Sequence, residues 1–154
     1  MRYLKEIKDD VYEKKLIALY KGIPVRLYMC NLKNVYSKSK YFMEQKWDSP
    51  CFVHPCTNFF DTVKEYSIII AYDENFKKMS EKAQNILIYH ELGHVLQKDP
   101  DKRKLSDELA ADKFAMDKIG KISKKQARLM AEWICHYGRR SYESSYKEFI
   151  ARFT

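Results

Sequence analysis

The stretch Tyr89–Leu96 reads YHELGHVL, and its reading decides the rest of the chain. It continues a helical pattern of Ala83, Ile86 and Leu87, yet its HELGH core packs two histidines, a glutamate and a glycine into five positions. A glycine in a helix interior costs roughly 1 kcal/mol against alanine, so helix stability is not what this segment serves. On an α-helix His90 and His94 are four residues apart, about 40° apart on one face, and both can reach one metal ion. Glu91 sits about 100° round from His90, close to such a metal but angled out of its ligand set. A carboxylate there can hold a water instead of replacing it. The stretch therefore has the form HExxH: two zinc-binding imidazoles and a general base.

A catalytic zinc generally takes three protein ligands and leaves its fourth position to water. Downstream, SDELAADKFA offers Glu108 and Asp112, again four apart on one helix face, with the small residues Ala110 and Ala111 between them. Small side chains let this helix approach the first closely, and Gly93 does the same from the other side. One carboxylate can then ligate while the other fixes an imidazole.

HExxH followed by a helix carrying ExxxD resembles the gluzincin branch of the zincin metallopeptidases. That resemblance implies Glu108 as third ligand and Asp112 as the residue that orients His90, a placement that the need to fix a ligand imidazole also favours. The string ELAADKFA is most similar to small soluble ImmA/IrrE-type metallopeptidases. It is also similar to ExEAD-type membrane peptidases, against which the lack of a membrane segment argues. The resemblance covers residues 66–118. It implies a Zn2+-dependent hydrolase cutting a peptide bond in a protein or peptide substrate, with Glu91 relaying a proton. It also implies an edge strand, Tyr66–Tyr72, with which an extended substrate pairs. His136 and Tyr72 are candidate stabilisers of the oxyanion, with Tyr137 and His54 behind them. The alternative is a catalytically silent zincin scaffold that binds nucleic acid or an acidic protein.

That alternative rests on charge. The 154 residues carry a formal net charge of +8, with lysines dispersed in small clusters such as Lys102 and Lys104. Such a surface suits polyanions but is also ordinary solvated protein surface. With 45% apolar and 32% charged residues the chain reads as globular, a single domain over residues 1–154. The opening MRYLKEIKDD has no apolar core for a signal peptide, and the longest aliphatic run, Ile68–Ala71, is far too short to span a membrane. A cytoplasmic protein with reduced cysteines is expected. CFVHPC brings Cys51, His54 and Cys56 close in sequence, but three ligands at that spacing make an ordinary loop the expectation.

The expected fold is α+β: a small mixed or antiparallel sheet, made of a hairpin and an edge strand, packed on the helix bearing His90 and His94, with a mainly helical C-terminal half. The hairpin turns at Lys21-Gly22, between Leu16, Ala18, Tyr20 and Val25, Leu27, Met29. A short helix is expected through Leu4 and Ile7. Residues 31–65 read mostly as loop with a strand near Phe52. Ser80 should cap the helix of His90, which runs to Asp99-Pro100. Ser106 should cap a second helix that ends at Gly120. Ser123 with Gln126 forms a capping box for a third, ending near Gly138, and a fourth follows through Tyr142, Tyr146, Phe149 and Ile150.

Overall fold

The computed structural model describes residues 8–38, 49–96, 105–137 and 141–154. The fold is α+β, with a four-stranded mixed sheet and a helical C-terminal half. The chain divides into two compact units, residues 1–72 and 73–154.

The first unit opens, among the described residues, with a 3-10 turn (Lys8–Asp10). It then forms β1 (Val11–Tyr20), β2 (Ile23–Cys30), α1 (Leu32–Lys38), β3 (Cys51–Thr57) and β4 (Val63–Ala71). β1 and β2 are the expected hairpin. Lys21 and Gly22 have φ of 50° and 79°, both left-handed, as a type I′ turn requires for its twist to match that of the strands. Strand order is β1-β2-β4-β3, with β2 and β4 parallel and the outer pairs antiparallel.

This order corrects one expectation. The strand Tyr66–Tyr72 is not an edge: Ile68 pairs with Leu27 on one side and Val53 on the other. Its backbone is committed to two neighbours, so it has no open side for a substrate. The continuous apolar run that made it recognisable is the mark of an interior strand, and β4 is buried from Glu65 to Ala71. The edges are β1 and β3. Pro55 sits on the β3 edge, where a missing N–H is tolerated, and Pro24 precedes the first β2–β4 pair, Val25 with Tyr66.

The strand near Phe52 is β3. In it Cys51 faces one side of the sheet while His54 and Cys56 face the other, so the three cannot converge on a metal. Helix α1, within the stretch read as loop, was signalled by Asn31, whose side chain accepts from the Asn34 amide at 3.2 Å. On the same sheet face as Cys56 lies a buried polar cluster. Glu65, 2% exposed, accepts hydrogen bonds from Arg26 (2.6 Å), Tyr28 (2.7 Å) and Ser67 (2.6 Å). Burial pushes its carboxyl up, but the bonds from Ser67, Tyr28 and Arg26 prevail and hold it below the usual carboxylate value.

The second unit comprises α2 (Glu74–Lys78), α3 (Glu81–Val95), α4 (Leu105–Ile119), α5 (Lys124–Cys135) and α6 (Tyr142–Phe153). Ser80, Ser123 and Ser141 cap α3, α5 and α6 through their side chains, each accepting from the amide three residues on. The Ser123–Gln126 box forms by half. Gln126 turns its side-chain oxygen to the Ser80 amide instead, at 2.8 Å, tying the start of α5 to the cap of α3. Gly120, at φ 93°, ends α4 as expected, whereas α4 begins at Leu105, one residue before Ser106. α3 ends at Val95 and α5 at Cys135; Asp99-Pro100, Gly138 and the helix expected through Leu4 and Ile7 lie outside the described residues. Phe76 packs on Trp133 with ring centroids 5.6 Å apart, both fully buried, and anchors α2 to α5. Among the described residues no helix is long and apolar enough to cross a membrane.

Candidate metal centre

α3 carries the HELGH stretch on its last turns, where His90, Glu91, Leu92, Gly93, His94 and Val95 are all buried. On the Gly93 side α4 lies very close. A Cβ placed on Gly93 would be 3.0 Å from the Ala111 backbone and 3.3 Å from the Phe114 side chain. Gly93 and Ala111 thus set the separation of the two helices, and Tyr89 stacks on Phe114 beside them at 6.3 Å.

That closeness brings the two helices' polar residues together. His90 Nε2 and His94 Nε2 are 3.1 Å apart. The Glu108 carboxylate lies 3.2 Å from each, through Oε2 to His90 and Oε1 to His94. One potential ligand atom from each of the three falls within 4.8 Å of the others, the one such group among the described residues. Zinc bonds of about 2.0–2.2 Å at tetrahedral angles put neighbouring donors about 3.3–3.6 Å apart, close to the spacing found. The donor set fits a divalent transition metal, zinc foremost.

Asp112, one turn beyond Glu108, does not join them. Its Oδ1 accepts from His90 Nδ1 at 2.7 Å. A carboxylate can only accept, so Nδ1 carries a hydrogen, and Nε2, which faces His94 and Glu108, is the nitrogen that can offer a lone pair to a metal once its own proton leaves. Glu108 thus lies against both Nε2 atoms and Asp112 against His90 Nδ1. Glu91 is 4% exposed, and the Glu108 side chain, at 42%, leaves the group an open flank.

The electrostatics call for a cation. Burial pulls the His90 imidazole down, but its hydrogen bonds to Asp112 and Glu108 and the charge of Glu91 outweigh this and push it up to about 9. Hydrogen bonds from His90 and His94 hold Glu108 far below the usual carboxylate value. Asp112 is pushed up by burial, yet His90 and Arg152 bring it down overall. Three carboxylates lie about two imidazoles; Arg152 offsets the charge of Asp112, and protons or a metal ion can offset the others.

Arg152 was not anticipated. It comes from α6 and donates to both oxygens of Asp112, Nε to Oδ2 and one terminal nitrogen to Oδ1, each at 2.8 Å. Its signal was an arginine between Phe149 and Phe153 on an amphipathic helix. His136, proposed for the oxyanion, is the exposed C-cap residue of α5. Tyr72 belongs to the first unit, with its amide bonded to the Cys30 carbonyl at 3.0 Å and its ring 6.0 Å from that of Tyr12.

Neither the curated proteins nor the solved structures give a match. A family model does: that described as "Putative phage metallopeptidase" matches residues 13–129, about three quarters of the chain, including both helices of the His90–His94–Glu108 group. The chain belongs to this family of phage metallopeptidases.

Proposed function

We propose that the chain is a zinc-dependent peptidase of the gluzincin type, with His90, His94 and Glu108 as ligands, Asp112 orienting His90 and Glu91 as general base. The observation that carries this reading is the convergence of the two Nε2 atoms and the Glu108 carboxylate. Two imidazoles and one carboxylate form a ligand set of the catalytic kind, which leaves a position for water or substrate. Bound zinc would supply Lewis acidity, polarising the scissile carbonyl and acidifying a water.

The remaining work falls to the chain itself. Glu91 accepts the proton of the attacking water as the new C–O bond forms, then returns it to the amide nitrogen as the C–N bond breaks. Asp112 keeps His90 in the tautomer whose Nε2 is a lone pair. The substrate is a peptide bond in a protein or peptide, reached from the flank that Glu108 leaves open. The ELAADKFA string supports placing the enzyme near small soluble ImmA/IrrE-type peptidases.

The test is incubation of the zinc-loaded 154-residue chain with a defined peptide library, followed by mass spectrometry. New termini are expected with the wild type and should vanish, by roughly 100-fold or more, in a Glu91→Gln variant that retains its zinc. Undiminished cleavage by that variant would show that Glu91 is not the base.

A further inference from the structure

Arg152 makes more contacts than a surface ion pair needs. Its guanidinium grips Asp112 through two parallel N–H···O bonds of 2.8 Å and donates to Glu148 at 2.9 Å through the remaining nitrogen. The Phe153 ring lies 4.7 Å from its central carbon and the Phe149 ring 5.5 Å, and both rings are buried. The Arg152 side chain is only 21% exposed. Two aromatic faces and two carboxylates fix this side chain, so little conformational freedom remains to be lost when it acts on Asp112.

Asp112 has four lone-pair directions, and Arg152 occupies two of them. Of its Oδ1, the part not used by arginine receives the His90 Nδ1–H at 2.7 Å. The carboxylate therefore cannot rotate without breaking the fork, and its angle sets the angle of the imidazole. The Arg152 terminal nitrogen nearest His90 is 3.4 Å from Nδ1. Arginine has no acceptor and cannot take the Nδ1–H itself, so that hydrogen goes to Asp112 at 2.7 Å and Arg152 acts on His90 through the carboxylate.

We propose that Arg152 is a positioning residue of the metal centre, clamping Asp112 from the last helix so that His90 Nε2 is held on the line of the metal. This inference rests on the metal-site reading above. It extends the site beyond residues 13–129, the span that the family model matches, to the end of the chain. The pair is 40 positions apart in sequence, and α6 completes a centre that α3 and α4 begin. Lysine cannot replace arginine here, because an ammonium is a point donor and offers no planar fork.

Wild type, Arg152→Lys, Asp112→Ala and the double variant, each as the whole 154-residue chain, are titrated with Co2+, reading affinity by chelator competition and the visible absorption of the bound ion. Arg152→Lys keeps the positive charge, so any change reports geometry. Its Co2+ affinity should fall roughly tenfold, with an altered spectrum, and the substitution should have no further effect once Asp112 is alanine. A merely structural ion pair would lower the unfolding temperature while leaving affinity and spectrum unchanged, and that result overturns the proposal. So does a full lysine effect in the Asp112→Ala background. Wild type that takes up no Co2+ overturns the metal site itself and this role with it, an outcome distinct from both. Arg152→Gln, carried through the same cycle, replaces the lysine chain if that chain does not fold.

Discussion

Gly93 faces the backbone of Ala111 so closely that a Cβ on the glycine would stand 3.0 Å from the Ala111 Cα. A backbone atom cannot turn aside as a side chain can, so the helices must separate. Gly93→Ala should therefore destabilise the protein even though alanine gains about 1 kcal/mol of helix propensity, and it should weaken metal binding by moving Glu108 away from the two imidazoles. Thermal unfolding and zinc titration check both effects. A more stable variant with unchanged affinity would mean that the helix contact does not set the site.

Glu108 and Asp112 are one turn apart yet meet different atoms, Nε2 and Nδ1 of His90. Glu108→Ala should abolish tight zinc binding, whereas Asp112→Ala should weaken it by roughly 10 to 100-fold. The reverse ranking would exchange their roles.

Much of this was legible because it is local. HExxH and ExxxD each place two groups four residues apart, and helical geometry alone puts them on one face. The hairpin turn at Lys21-Gly22, the caps at Ser80 and Ser123 and the stop at Gly120 are likewise signals within a few residues. What the sequence hid is long-range. The interior position of β4 depends on pairing with Leu27 and Val53, residues 41 and 15 positions before Ile68. Arg152 lies 62 positions from His90, and nothing in its own neighbourhood points to Asp112. Helix α1 escaped because LKNVYSK is too short to show a period, although Asn31 marked its start.

The Glu65 cluster governs acid stability of the first unit. Its folded carboxyl lies below the ordinary value, so its contribution is present above the unfolded pKa of about 4.3 and is lost as pH falls through the folded value. Removing one donor, Tyr28→Phe, should cost about 1.5–3 kcal/mol at neutral pH, with the difference from wild type shrinking below about pH 4. Urea unfolding across pH checks this. A difference independent of pH would assign the loss to packing instead.

Zinc must displace protons from this group, because imidazoles ligate only when neutral. Apparent affinity should fall as pH drops through about 9, where the His90 imidazole takes up its proton, and calorimetry in buffers of different ionisation enthalpy should register proton release on binding. Binding without proton release would contradict the His90–His94 ligand pair.

The most direct measurement is anomalous scattering at the zinc edge from crystals of protein purified without chelator and supplied with Zn2+. One peak is expected about 2.0–2.2 Å from His90 Nε2, His94 Nε2 and a Glu108 oxygen, retained in Glu91→Gln and absent in Glu108→Ala. A fully supplied crystal with no peak between α3 and α4, or with zinc bound to other residues, would contradict the account.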